Sequence, residues 1–168
     1  MSGAAGAVGG LVGQLGKIHG LKVVGSAGGD TKCALIKEKF GFDESVDYKK
    51  TSNGVELTAA VKEVAPDGID MYFENVGGFH FQAAMALLRP KGRIALCGAI
   101  STYNENITYE PGTGPNTIMT TQMLYTFQRM EGFVCSPWLS GEKGNFLKDV
   151  RRFVLKTIVF NLKLSGFY

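Results

Sequence analysis

The chain has 168 residues, 45% of them apolar and 20% charged, which is the composition of one soluble globular domain with a substantial core. Its formal net charge of +3 is too small and too scattered to argue for a nucleic-acid partner, and a basic pair such as Arg151-Arg152 reads as a solvated helix face. No apolar run is long enough to span a bilayer and no signal peptide is visible, so no membrane association is expected.

The chain opens on MSGAAGAVGG, Met1 to Gly10, a glycine-rich turn leading straight into a helix-patterned run. Ala4, Gly6 and Gly9 stand at the spacing of the dinucleotide-binding fingerprint G-x-G-x-x-G, with Ala in the first glycine place. Gly6 would let backbone approach a pyrophosphate, and Gly9 would let the helix lie close on a sheet. The helix N-terminus, at Ala7 and Val8, would offer free N–H groups and a positive dipole end. The fingerprint ordinarily follows a buried strand, and here only Met1 and Ser2 precede it.

Val8, Leu11, Val12, Leu15 and Ile18 recur at helical spacing and predict one apolar face. Lys22 to Ser26 reads as a short buried strand. Asp30 is placed to cap a helix through Ala34, Leu35 and Ile36 that ends at Gly41. Ser45 to Tyr48 is a strand, Val55 to Val64 a helix, and Pro66-Asp67-Gly68 a turn. Ile69 to Phe73 is a strand, Phe81 to Leu88 a helix, and Pro90-Lys91-Gly92 turns the chain into the strand Arg93 to Cys97. A long loop, Gly98 to Pro115, follows, and a loop of that length is usually functional. Thr117 to Phe127 reads as a helix, Met130 to Cys135 as a last strand and Gly144 to Lys156 as a last helix.

Strict alternation of strand and helix predicts an α/β fold, a doubly wound parallel sheet with helices on both faces. The strands in hand are the second to sixth of such a sheet. Most of the first is missing, and in the order 3-2-1-4-5-6 that strand is central, so a gap is expected in the middle. Residues 157–168 form an apolar tail in which Phe160, Leu162 and Leu164 alternate, suited to covering part of the gap or to aggregation. Cys33, Cys97 and Cys135 stand far apart with no C-x-x-C spacing. Neither a metal site nor a disulfide framework is expected, and free thiols suit a reducing, cytoplasmic setting.

Several segments in order carry a family resemblance: SGAAGAVG at Ser2 to Gly9, KVVGSAG at Lys22 to Gly28, GFD at Gly41 to Asp43, YFENVGG at Tyr72 to Gly78, GRIALCGAISTYN at Arg93 to Asn104 and RMEGFV at Arg129 to Val134. Together they resemble the zinc-independent medium-chain dehydrogenase/reductases. The resemblance covers residues 2–156 and implies a Rossmann-like cofactor domain, 1–156, with 157–168 departing from the family pattern. The domain that precedes the glycine turn in the family has no counterpart in these residues, so a truncated or alternatively spliced form is expected.

Cofactor choice is read first from the residues. The end of the first predicted strand, Gly25-Ser26-Ala27-Gly28-Gly29, carries no acid to bond a ribose 2′-OH. Small residues leave room for a 2′-phosphate and Lys32 is near enough to neutralise it, which points to NADP(H). The resemblance puts the family's phosphate lysine on Lys32, its cofactor tyrosine on Tyr48 and its asparagine on Asn75. It also puts the loop against the nicotinamide on Cys97, Gly98, Ala99, Ile100 and Ser101, and a backbone segment beside that ring on Phe133, Val134 and Cys135. Tyr103 matches a tyrosine beside the substrate carbonyl, where a phenol would donate to an enolate oxygen. Each has a plainer reading: a solvated helix lysine, a half-buried strand end, a turn asparagine, an exposed loop tyrosine and an ordinary core strand. His19 and His80 have no metal-ligand partners and read as surface helix residues.

The reaction implied is hydride transfer from NADPH to the β-carbon of an α,β-unsaturated ketone or aldehyde, of the 15-oxo-prostaglandin or alkenal type, followed by protonation at the α-carbon. Two alternatives stand beside it: a non-catalytic nucleotide-binding fragment, able to pair with a second copy through Met130 to Cys135, and a quinone reductase of the same superfamily.

Overall fold

The computed structural model describes residues 1–104, 117–140 and 148. They fall into two compact units, Met1–Gly132 and a second that starts at Phe133. The expected helix at 144–156 (Lys148 apart) and the tail 157–168 lie outside the described residues, as does most of the loop after Ser101.

The first unit alternates helix and strand as expected: α1 (Ala7–Ile18), β1 (Val24–Ala27), α2 (Asp30–Glu38), β2 (Glu44–Asp47), α3 (Gly54–Val64), β3 (Ile69–Glu74), α4 (Gly78–Leu87), β4 (Leu88–Leu96), α5 (Thr117–Thr126) and β5 (Arg129–Gly132). All pairings are parallel. They form a two-stranded sheet, β1-β2, and a three-stranded sheet, β3-β4-β5. The expected gap lies between them, and the first two residues bridge its carboxyl end. Ser26 N–H donates to Met1 C=O at 3.0 Å and Ala4 N–H to Ser26 C=O at 3.0 Å on the β1 side. Ser2 N–H donates to Phe73 C=O at 3.3 Å on the β3 side. Met1 and Ser2 therefore occupy the last positions of the central strand. Below them a cleft of about 660 Å³ runs between the two sheets, walled in part by Val24, Val46, Leu57, Met71 and Tyr72.

Among the described residues the core is three clusters. Ala4, Val23, Ala27, Cys33, Ile36 and Phe42 pack under α2, Val46, Leu57 and Ala83 join α3 and α4 to β2, and Tyr72, Ala84, Met85, Leu88 and Ile94 hold α4 to the larger sheet.

Several expectations are corrected. The buried residues of α1 are Gly9, Gly10 and Gly13, whereas Val8 is 48% and Leu11 61% exposed. The glycines let bulky neighbours approach the helix: a Cβ on Gly10 would lie 2.8 Å from the Phe40 ring, and one on Gly13 only 1.9 Å from that of Phe42. Close backbone packing, not the large apolar residues, fixes this helix. Asp30 does not cap α2. It is the first helical residue, its N-cap is Gly29, and its carboxylate pairs with Lys50. The Pro90-Gly92 turn is an excursion inside one continuous strand: β4 pairs Leu88 with Ile69, then Arg93 with Met71, so residues 89–92 bow out opposite Asp70. The last strand stops at Gly132, three residues short of Cys135. His80 is buried on α4 instead of lying at the surface.

Candidate functional site

The carboxyl ends of β1, β3 and β4 converge on the glycine turn. Gly3 makes that turn, with a φ of +59° that a side chain would strain. Gly9 sits directly over it: a Cβ there would lie 2.3 Å from Gly3 O and 2.9 Å from Ala4 Cα. Ala4 is fully buried and faces the core, and its N–H is spent on β1. The sequence reading gave Ala4 the first fingerprint place. The residue with the left-handed backbone is Gly3, so the spacing that matters is 3, 6 and 9. The N-cap of α1 is Gly6, with no side-chain cap, and Gly6, Ala7 and Val8 are exposed. The first N–H groups of this helix thus open outward at a positive dipole end, the requirement for holding a pyrophosphate.

A buried hydrogen-bond relay ties the turn to β3. Ser2 Oγ donates to Glu74 Oε1 at 2.6 Å and accepts from Asn75 N–H at 2.8 Å. Val76 N–H donates to the same Glu74 oxygen at 2.7 Å. Asn75 Nδ2 donates to Ser2 C=O at 2.8 Å, which fixes its amide beside the turn. Burial of Tyr72 next to Glu74 pushes its phenol well above the usual range. The loop after β4 is sewn to the same turn. Cys97 and Gly98 N–H donate to Glu74 C=O, Ile100 N–H to Asn75 C=O, and Ser101 N–H and Oγ both donate to Val76 C=O. Ala99 N–H donates to the phenol oxygen of Tyr103 at 3.2 Å. That bond leaves the Tyr103 O–H proton free to be given elsewhere, on a ring that is 66% exposed.

Tyr48 opens a 3-10 turn, Tyr48–Lys50, at the end of β2. Its hydroxyl crosses Gly28, where a Cβ would meet it at 2.9 Å, and its ring stands edge-on to His80 with centroids 5.0 Å apart. Burial pushes the His80 imidazole down, so it favours the neutral form behind Tyr48. Lys32 is exposed in the first turn of α2 and forms no ion pair with a described residue. Gly29 N–H is taken by Asp47 Oδ1 at 2.8 Å. That backbone donor, with Lys49 N–H and the lysines nearby, holds the Asp47 carboxyl below the usual carboxylate range against the effect of burial.

The structure therefore gathers Gly6, Ala7, Val8, Gly9, Asn75, Cys97, Gly98, Ala99, Ile100, Ser101 and Tyr103 around one end of the sheet, with Lys32 and Tyr48 at the ends of β1 and β2. Phe133, Val134 and Cys135 belong to the second unit. There Phe133 is half-buried, Val134 and Cys135 are exposed, and Cys135 precedes the short helix α6 (Ser136–Leu139). None of the three lies in a strand. Among the described residues no group of His, Cys, Asp and Glu could hold a metal ion.

The family model described as zinc-binding dehydrogenase matches residues 7–134. The chain belongs to this family of medium-chain dehydrogenase/reductases. It is 42% identical over 154 residues to prostaglandin reductase 1 of Bos taurus, an alignment covering 92% of this chain and 44% of the relative. It is 48% identical over 134 residues to the NADP(+)-dependent 2-alkenal reductase of Nicotiana tabacum, covering 80% of this chain and 36% of the relative. The structure of CurA from Vibrio vulnificus in complex with NADPH superposes with a TM-score of 0.78 at 38% identity, covering 93% of this chain and 45% of that one. The chain spans less than half the length of the curated relatives it matches.

Sequence reasoning missed Gly3, Ser2, Glu74, Asp47 and Lys50. A signal existed for Gly3, as the third glycine at the repeat of three. For the others the partner lies far along the chain, and no local pattern announces it.

Proposed function

We propose that this chain is the NADP(H)-binding domain of a reductase that acts on the C=C bond of α,β-unsaturated ketones and aldehydes, of the 15-oxo-prostaglandin or alkenal type. The observation that carries the reading is the convergence of the uncapped α1 N-terminus, the Asn75 turn and the loop Cys97 to Ser101 on one end of a parallel sheet, the place where such sheets take nucleotides. Gly9 lets α1 pack directly on the turn, since a Cβ there would meet Gly3 O at 2.3 Å, and this packing sets the exposed, uncapped N-terminus of α1 at the sheet end, where it fits a pyrophosphate held by backbone. The names of the relatives, prostaglandin reductase 1 and NADP(+)-dependent 2-alkenal reductase, support the substrate class and the cofactor.

NADPH, when bound, supplies the hydride. The residues of the chain hold and orient. The α1 N-terminus would hold the pyrophosphate, and Lys32 and Tyr48, at the ends of β1 and β2, would hold the ribose 2′-phosphate. Asn75 and the backbone of Cys97, Gly98, Ala99, Ile100 and Ser101 would line the nicotinamide end; for Phe133, Val134 and Cys135 the role rests on the family resemblance alone. Tyr103 donates its O–H to the substrate carbonyl as charge develops on that oxygen, and its bond from Ala99 N–H aligns the phenol for this. β5 (Arg129–Gly132) is the edge strand of its sheet, which supports pairing with a second copy through the segment Met130 to Cys135, and three cysteines far apart in the sequence support a reducing, cytoplasmic setting.

Thermal unfolding of the chain with saturating NADPH or NADH tests the binding reading. We expect a cooperative transition whose midpoint NADPH raises more than NADH, because a ligand of the folded state alone stabilises it. No shift with either nucleotide overturns the reading. Turnover of an enone by the wild-type chain, lost in Tyr103→Phe, separates the enzyme from a domain that only binds nucleotide.

A further inference from the structure

Two acids flank the carboxyl ends of β1 and β2, and one lysine holds both. Lys50 Nζ lies 2.5 Å from Asp30 Oδ1 and 3.8 Å from Asp47 Oδ2. Asp47 is further tied by Gly29 N–H at 2.8 Å and Lys49 N–H at 3.1 Å, and its side chain is only 9% exposed. The neighbouring cations are differently placed. Lys32 is exposed with no ion pair among the described residues. The Lys49 side chain runs over Gly28, where a Cβ would meet its Cε at 3.1 Å, beside the Tyr48 hydroxyl. Three lysines thus surround one strand end, and among the described residues Lys50 is the one within ion-pair distance of carboxylates.

We propose that Lys50 is a positioning residue for nucleotide choice: by holding Asp30 and Asp47 it keeps both carboxylates from selecting a bare ribose, and leaves Lys32 and Lys49 to meet a 2′-phosphate. The assignment rests on the reading that this end of the sheet binds NADP(H). Its physics is simple. An acid at this place in the fold accepts from the ribose 2′-OH and repels a phosphate. A carboxylate paired with an ammonium at hydrogen-bond distance presents little net charge to a ligand nearby. Asp30, in the first turn of α2, is the acid most able to swing toward the ribose, since its side chain is 83% exposed and Lys50 is its ion-pair partner. Lys50 thereby acts through the acids and not on the ligand.

The test is a double-mutant cycle on the 168-residue chain with Lys50→Met, Asp30→Asn and the pair together. Dissociation constants for NADPH and NADH are read from nicotinamide fluorescence at low ionic strength, where exposed pairs act most strongly. Unfolding curves confirm that each variant folds. Lys50→Met should weaken NADPH by about tenfold, the effect of roughly one uncompensated charge near a phosphate, while NADH stays within about twofold. In the Asp30→Asn background the same lysine change should lose most of its effect. Equal weakening of both nucleotides overturns the assignment by making Lys50 merely structural. An NADPH loss of the same size with and without Asp30 also overturns it, by making Lys50 a direct phosphate ligand. If the unaltered chain binds neither nucleotide, the binding reading falls and this assignment with it. If it binds NADPH and Lys50→Met binds it equally well, only the assignment falls.

Discussion

The two ends of the central seam differ sharply. At the carboxyl end, two residues suffice to join the sheets, because Met1 and Ser2 bond β1 on one side and β3 on the other, and Glu74 anchors the join from beneath. At the amino end no described residue spans the seam, and the 660 Å³ cleft separates Val24 from Met71, which is 65% exposed. The strands facing the cleft are the same ones that are bridged a few residues further on. The chain therefore concentrates its long-range hydrogen bonds at the end of the sheet where a ligand would sit, and leaves the other end to side-chain packing and surface ion pairs. Stability and site geometry should be coupled at the first end and nearly independent at the second.

The harshest way to break that contrast is to fill the glycine turn. Gly9→Val puts a side chain where backbone already lies, with Gly3 O 2.3 Å from the new Cβ, and neither the turn nor the buried helix face can give way. The expected cost is about 4 kcal/mol or more, in the range reserved for severe core lesions. Chemical denaturation should show either loss of the cooperative transition or a large fall in its midpoint. A variant of near wild-type stability would mean that the bridged end is softer than its packing implies.

A smaller cut at the same end removes the anchor. Glu74→Ala takes the acceptor from Ser2 Oγ and Val76 N–H in a fully buried setting, since Ser2 is 0% and Glu74 2% exposed. Leaving those donors unpaired should cost about 3 kcal/mol. Because Asn75 is bonded to Ser2 through both backbone and amide, nucleotide affinity should fall further than stability alone explains. The comparison to make is the ratio of NADPH affinity to midpoint shift in Glu74→Ala and in a cleft-wall change such as Met71→Thr. Equal ratios would erase the distinction between the two ends.

Much of this was legible in the sequence. The alternation of strands and helices follows from apolar runs and turn residues. The α1 face was misread because periodicity counts large apolar residues, and here the contact is made by residues with no side chain at all, Gly9, Gly10 and Gly13. Asp30 was misread because a capping signal was taken from local sequence, while its partner, Lys50, comes from a turn on the next strand. Glu74 sat in plain view in YFENVGG, but its role depends on Ser2, which is 72 positions away.

The mildest test belongs to the open end. Lys17, in the last turn of α1, where its charge suits the helix dipole, straddles both oxygens of Asp43 at 2.7 and 2.8 Å. Asp43 also accepts from Val23 N–H at 2.6 Å, just before β1 begins. Burial works to raise the Asp43 carboxyl, but Lys17 and the Val23 N–H outweigh it and hold the group below its ordinary value. A carboxyl depressed in the folded state contributes stability that is fully present above its unfolded pKa, about 4, and is lost as pH falls through the lower folded value. Lys17→Met should cost no more than about 1 kcal/mol at neutral pH, because both partners are about one-third exposed and screened by water. Added salt should shrink the difference from wild type. Asp43→Asn should cost more, since the weaker amide acceptor also serves Val23, and it should flatten the acid limb of stability below pH of about 4. Nucleotide affinity should stay unchanged in both variants, because neither Lys17 nor Asp43 hydrogen-bonds to the glycine turn. A change in NADPH binding on cutting this ion pair would show that the open end speaks to the bridged end through α1, whose two ends rest on Gly3 and on Asp43.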